Sequence, residues 1–442
     1  MTVRPRSAPP SLPNIARALR HRNYRLYFLG QGTSVIGTWI TRVATSWLIF
    51  RLTHSAILLG VVNFAGQVPT FVLAPIAGVW VDRLDRYRVL FVTQTLSMLQ
   101  SFALAALALT GVIQVWHIIA LQVFQGVINA FDMPSRQSFL IEMVDDKSDL
   151  PNAIALNSTM VNGARLIGPA IAGIMISAVG EGWCFLVDGI SYLAVIGSLW
   201  AMRFAHQARA ARDTRVWDDL RAGVTYVTGF GPIRSILLLL ALVSLAGMPY
   251  TVLMPIIAAD VLHGDAHTYG FLLGAAGVGA LTGALFLASR KTVLGLGRLI
   301  PIATTVFGLG LIALGLAHTI WLAMLTLFVI GVGFMAQTAA SNTLLQTLVR
   351  PEMRGRVMAF FTMAFMGTTP FGALVAGTLA HRIGAPRTIM LGGATCLIGA
   401  AIFLRGLPAL RAQVRPIYVE RGILPPIVGV TEVTAATEAA DR

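Results

Sequence analysis

Five charged residues crowd into the seven positions Asp82-Arg83-Leu84-Asp85-Arg86-Tyr87-Arg88, and the chain on either side is apolar for the length of a membrane crossing. A helix cannot carry five charges through hydrocarbon, so this loop must sit in water at one face of a bilayer. Its three arginines, with no lysine or arginine in the next loop, place that face in the cytoplasm by the positive-inside rule. Gly78 permits close packing at the helix end, and Asp82, one turn on, is placed to accept bonds from a neighbouring helix N-terminus.

The same alternation of long apolar run and short charged loop continues along the chain. Of 442 residues, 56% are hydrophobic and 12% charged, which excludes an ordinary soluble enzyme and predicts an all-α integral membrane protein. At about 20 residues per crossing, the runs predict twelve transmembrane helices. The net charge of +14 lies mostly in the tails and alternate loops, so its expected partner is the lipid bilayer and not nucleic acid. Cys184 and Cys396 both fall in predicted spans and imply no disulfide. The basic segment before the first span has no small-residue cleavage site after it and reads as a cytoplasmic tail.

Polar residues inside the spans mark the functional face. The first span carries Gln31, Ser34, Thr38, Thr41 and Thr45 at intervals of three and four, with Arg42 beside them. The fourth carries Gln122, Gln125, Asn129, Asp132 and Arg136 at the same spacing. An aspartate facing lipid costs about 2.5 to 3.5 kcal/mol on insertion scales, so this stripe must face a water-filled cavity or form a polar seam between helices; the cavity is the expectation. The third span reads as featureless scaffold. The fifth holds Asn157, Asn162, Arg165 and Gly168-Pro169-Ala170-Ile171-Ala172-Gly173, whose glycines allow close approach and whose proline permits a bend. Depth along the helices makes Asp132 the first candidate partner for Arg165, and allows an Arg42–Asp188 pair nearer the outer face.

The second half repeats the first. Gly126-Val127 matches Gly331-Val332, and Gly168 to Gly173 matches Gly372 to Gly377, at nearly one offset, which predicts two parallel six-helix repeats. The expected organisation is a cytoplasmic tail (1–23), a six-helix bundle (24–204), a cytoplasmic linker with an amphipathic helix (205–233), a second bundle (234–405) and a disordered cytoplasmic tail (406–442). The apolar face of the linker helix is Trp217, Leu220, Val224 and Val227.

No phosphate-binding loop, nucleophile elbow or zinc-protease helix occurs, so neither ATP-driven pumping nor enzyme catalysis is expected, and no cofactor. His263, His267, Asp260 and Asp265 cluster in an outward loop without metal-ligand spacing, and no metal is assigned there. The polar stripes therefore read as the lining of a solute path, with Gln337, Ser341 and Asn342 on the tenth span as counterparts of the fourth. Glutamine and asparagine, and not paired arginines, point to an uncharged or weakly polar, bulky solute.

The Gly78, Asp82, Arg83, Arg86 loop resembles the signature loop between the second and third spans of the major facilitator superfamily, with Asp85 where that family has a second glycine. From His21 to Arg405 the chain is similar to the branch containing the enterobactin exporter and macrolide efflux proteins. The residues that carry this are Ala130-Phe131-Asp132-Met133-Pro134-Ser135-Arg136-Gln137, Asn152 to Asn157, Asn162 to Pro169 and Arg354-Gly355-Arg356. The resemblance implies a conformational lock at Gly78, Asp82, Arg83 and Arg86, and a helix-bend motif of exporters at Gly168, Pro169 and Gly173. It also implies export of a small organic substrate across the cell membrane; protons are the expected coupling ion, and a monomer is the expected working unit. Asp132 is the first candidate for the titrating group and Asp188 the second, with Arg165 and Arg42 as their basic counterparts. An importer or facilitator of the same fold, or a membrane scaffold or sensor, remains open.

Overall fold

A computed structural model describes residues 16–202, 216–290 and 292–425, and within these every regular element is a helix. The first half comprises α1 (Arg22–Thr53), α2 (Ala56–Arg83), α3 (Arg86–Leu109), α4 (Val115–Glu142), α5 (Leu150–Val179) and α6 (Glu181–Ala201). The short helix α7 (Val216–Gly229) leads to the second half: α8 (Gly231–Val261), α9 (Ala266–Ala288), α10 (Leu296–Gly315), α11 (Ile320–Leu348), α12 (Pro351–Ile383) and α13 (Ala385–Glu420). Among the described residues, ten helices are long and apolar enough to cross a membrane. α1 and α4, of 32 and 28 residues, have the length but are less apolar, because they carry the two polar stripes.

The repeat is expressed as packing. Within the first half α1 lies against α5 and α6, α2 against α4, and α3 against α4 and α6; α8 to α13 pair in the corresponding order. A Cβ on Gly168 would lie 2.5 Å from Cβ of Trp39 in α1, and one on Gly372 would lie 2.1 Å from the Leu245 carbonyl of α8. The turns that close α5 and α12 use Gly180 and Gly384 at φ 88° and 89°, a left-handed conformation that a side chain would strain. Asp85 caps α3 by accepting from the N–H groups of Tyr87 and Arg88, so the loop turns without the family's second glycine.

The halves meet along two crossings, α2 on α12 and α5 on α9. A Cβ on Gly377 would come 2.5 Å from the Ala56 carbonyl, and one on Gly270 would come 2.5 Å from the Pro169 carbonyl, so the backbones touch. Glycine and ring contacts between halves run from one end of the bundle, here the far end, where Trp47 meets Tyr269 and Gly60 meets Gly377, to its middle, where Phe71 meets Gly367 and Phe371 and Gly277 meets Leu166; among the described residues none joins the opposite, near end. The near end holds the starts of α1 and α5 and the close of α13. There Arg354–Thr362 of α12 packs on α7, α8 and α11 of its own half.

At the near end a 3-10 turn, Arg17–Arg20, clasps the loop before α5. Asp149 is wholly buried and faces Arg17 Nε at 2.5 Å, Arg20 Nη2 at 2.7 Å and His21 Nε2 at 3.0 Å. The Ala18 N–H donates to Asn152 Oδ1, and Tyr24 donates to the Ala153 carbonyl. The Ser148 N–H and hydroxyl hold the Asp146 carboxyl below the usual carboxylate range.

Two expectations are corrected. α13 runs without a break to Glu420, about 54 Å at 1.5 Å per residue, and Arg421 Nη2 donates to the Val349 carbonyl at 3.0 Å. The tail is thus ordered and helical well past residue 406; residues 426–442 lie outside the described ones. The third span is also not featureless: Thr93, Gln94, Ser97, Gln100 and Ser101 form a buried polar face on α3. In α7, Val227 packs on the core of the second half, whereas Val224 is exposed. The side chains of Trp217 and Leu220 lie outside the described residues.

Candidate transport site

The α4 stripe meets the polar face of α3. Asp132 is 4% exposed, and its Oδ1 accepts from Thr93 Oγ1 at 2.9 Å and Gln94 Nε2 at 2.6 Å, while Oδ2 pairs with Arg136 one turn on. The expected Asp132–Arg165 pair is therefore not formed: the axial depth of the two residues agreed, but Asp132 turns toward α3. Gln125 Nε2 donates to Ser97 Oγ at 3.2 Å and to Asn129 Oδ1 at 3.1 Å. This part of the stripe is a seam between helices, with Gln122, Gln125 and Asn129 each keeping partial exposure.

Asp188 on α6 is 2% exposed and accepts from Thr41 Oγ1 at 2.9 Å and Ser101 Oγ at 2.8 Å through one oxygen. Its other oxygen, Oδ1, has no hydrogen-bond partner among the described residues. The expected Arg42–Asp188 ion pair is absent among the described residues, because Thr41 and not Arg42 faces α6.

Arg42 turns instead to Trp39. Its guanidinium lies 4.8 Å from the centre of the Trp39 ring, and that of Arg165 lies 5.9 Å from the same centre. Trp39 is fixed by α5, since Gly168 leaves room for it and a Cβ there would not. Across the boundary between halves, Tyr269 stacks on Trp47 at 5.9 Å, and Tyr250 lies within electrostatic reach of Arg165. Helices α1, α5, α8 and α9 thus bring two cations and four aromatic rings together where the halves converge. Sites in such folds form at the boundary between halves.

The other predicted lining residues divide. Thr38 is exposed and Asn342 partly so, the latter accepting from Gln346. Gln31, Ser34, Gln337 and Ser341 are 0 to 3% exposed and so do not border an open cavity in this conformation. Ser34 Oγ, Gln337 Nε2 and Ser341 Oγ have no hydrogen-bond partner among the described residues. In the loop after α2, Arg86 Nη1 donates to Glu142 Oε1 at 2.7 Å, tying α3 to the end of α4. The side chains of Gly78, Asp82 and Arg83 lie outside the described residues. Pro169 and Gly173 form the α5 side of the crossing with α9, and α5 remains one helix through Pro169. In the outward loop, Asp265 caps α9 by accepting from the Thr268 N–H.

Reading the sequence missed Trp39, Tyr250, Tyr269 and the polar face of α3. Trp39 stands one turn before Arg42, and the α3 residues recur at helical spacing, so both signals were present.

The family model described as "Transmembrane secretion effector" matches residues 15–417. The chain belongs to the major facilitator superfamily. It is 25% identical over 380 residues to the staphyloferrin A transporter of Staphylococcus aureus, covering 86% of this chain and 95% of that one. It is 29% identical to the multidrug efflux pump Tap of Mycolicibacterium fortuitum, covering 87% and 96%. To macrolide efflux protein A of Streptococcus pyogenes it is 22% identical, covering 87% and 96%. Among solved structures, an inward-facing, unoccupied bacterial homologue of the human lysosomal transporter Spinster superposes with TM-score 0.69 at 14% identity, covering 91% and 99%. As a member of this superfamily the chain is a multi-pass membrane transporter and not an enzyme.

Proposed function

We propose that this transporter exports a bulky organic solute by alternating access, driven by proton entry. The observation that most supports this is that the glycine and ring contacts between halves lie from the far end to the middle of the bundle, with none at the near end among the described residues, which makes the near end the side of solute entry. Arg86, Arg88, Arg298, Arg350, Arg354 and Arg356 lie in or beside the near-end loops, which supports a cytoplasmic near end, cytoplasmic termini and twelve spans. On this reading the conformation is open to the cytoplasm. The packing of each half on itself supports a first unit at 24–204, a linker at 205–233 and a second unit from 234 to the end of α13, and the pairing of the two halves supports a working monomer.

The relatives that pump drugs and macrolides outward support export. Thr38, Gln122, Gln125, Asn129 and Asn342 line the path on this reading, with Gln31, Ser34, Gln337 and Ser341 reaching it in another conformation. Gly78, Asp82, Arg83 and Arg86 act as the lock on the opposite conformation. Asp188, with a buried oxygen lacking a hydrogen-bond partner among the described residues, is the stronger proton carrier; Asp132 already has three partners.

The test is accumulation of a macrolide, a hydrophobic cationic dye and a catecholate siderophore in inside-out vesicles, with and without a proton gradient. Accumulation of one that collapses with a protonophore supports coupled export. Equilibration of an imposed gradient without accumulation would replace this reading by a facilitator.

A further inference from the structure

Two guanidinium groups stand on membrane-spanning helices with no acid among the described residues to neutralise them. Among the described residues, neither Arg42 nor Arg165 has a carboxylate within ion-pairing distance. Of the acids on neighbouring helices, Asp132 pairs with Arg136, Glu181 with Arg51, Asp188 with the hydroxyls of Thr41 and Ser101, Asp265 caps α9, and Asp260 is exposed at the end of α8. The remaining contact is Trp39, whose ring both cations share. A cation–π contact returns less than a charge costs at membrane depth, and two like charges on one ring repel each other. An intramembrane cation ordinarily finds an anion, so this pair is a half-built ion pair.

What surrounds the pair is aromatic. Trp47 and Tyr269 stack across the boundary between halves, and Tyr250 approaches Arg165 from α8. Arg42 is exposed and Arg165 partly so, which leaves both guanidinium groups open to a ligand. A ligand suited to these walls has an anionic end and an apolar or aromatic body. We infer that Arg42 and Arg165 form the anion-binding end of the solute site, and that the solute carries a carboxylate or comparable oxyanion. This rests on the transport cavity proposed above and replaces the uncharged solute expected from sequence. The planar, always-charged guanidinium suits such a group because it donates two parallel hydrogen bonds to paired oxygens.

The test is binding to the purified full chain in nanodiscs, which needs no gradient and so is independent of export and of proton coupling. The probes are pyrenebutyrate and its neutral analogue pyrenebutanol, read by energy transfer from tryptophan and compared between wild type, Arg42→Gln, Arg165→Gln and the lysine variants at both positions. Pyrenebutyrate is expected to bind tighter than pyrenebutanol, and to lose about tenfold or more in each glutamine variant, as for a hydrogen bond to a charged group. The lysine variants should restore part of that loss, and pyrenebutanol should not respond. Equal binding of both probes, binding of neither, or equal losses for both in the glutamine variants would overturn the assignment. Chloride and phosphate are titrated as competitors. Displacement of pyrenebutyrate by either at millimolar concentration would reassign the pair to an inorganic counter-ion and overturn the organic-anion reading; competition by soluble carboxylates alone would support it. If the assignment fails while vesicles still accumulate a solute, export stands and only the solute class falls.

Discussion

Replacing Gly270 by alanine should push the transporter out of the conformation described here without unfolding it. The new Cβ would lie 2.5 Å from the Pro169 carbonyl oxygen and 2.8 Å from Gly173 Cα, against 3.4 Å where ordinary contact begins. Both obstructing atoms are backbone, so no side chain can rotate away and the two helices must separate. Overpacking of this kind costs about 1 to 3 kcal/mol, and it acts only in the state where α5 and α9 touch. The higher helix propensity of alanine, about 0.5 to 1 kcal/mol, acts in both states and cancels. The equilibrium between conformations should therefore move by roughly five- to 150-fold toward the far-end-open state. Spin labels at Thr110→Cys and His318→Cys, both exposed at the far end and in opposite halves, read this as a longer distance in double electron–electron resonance. The native Cys184 and Cys396 are buried and should not label. Gly163→Ala is the control: it lies on α5, the other helix of this crossing, with nothing within 4 Å of a Cβ, and should leave the distances unchanged. An unaltered distance distribution in Gly270→Ala would refute the claim that this glycine crossing holds the far end closed.

Other perturbations bear on the charges. Asp132→Asn leaves Arg136 without its partner and should cost about 3 kcal/mol, as when a buried pair is broken, seen as a lower Tm of the purified protein; adding Arg136→Gln should recover part of it. Asp188→Asn keeps acceptors for Thr41 and Ser101, so solute should still equilibrate while proton-driven accumulation is lost; retained accumulation would remove Asp188 from coupling. Asp149→Asn weakens the grip on Arg17, Arg20 and His21, and should speed trypsin cleavage after Arg17 and Arg20 several-fold in the native protein, with an unchanged rate counting against the clasp.

The membrane class, the internal repeat and the superfamily were legible because they depend on quantities that run along the chain: apolar length, charge in loops and the spacing of glycines. The partners of the buried charges were not, because they depend on which way a helix face turns. Asp132 and Arg165 have compatible depths, yet Asp132 turns toward Thr93 and Gln94. Arg42 was noticed as a charge in a span, but its pairing with Trp39 depends on Gly168 admitting the indole from another helix. The α3 face was overlooked because serine, threonine and glutamine barely disturb an apolar average. The tail differs for the opposite reason: its prolines argue against a helix, whereas α13 continues through Pro408 and Pro416.

The clasp around Asp149 bears on the order in which the protein is made. Its ion pair with Arg20 joins residues 129 apart, so the start of α1 cannot be fastened until the loop after α4 has been synthesised. At ribosomal rates of about 5 to 20 residues per second, that interval is roughly 6 to 26 s. Throughout it the N-terminus must wait on the side where the loop will emerge. A helix inserted the wrong way round would present its arginines to the opposite compartment and leave Asp149 without them. The clasp can therefore close only when both segments lie on the same side of the membrane.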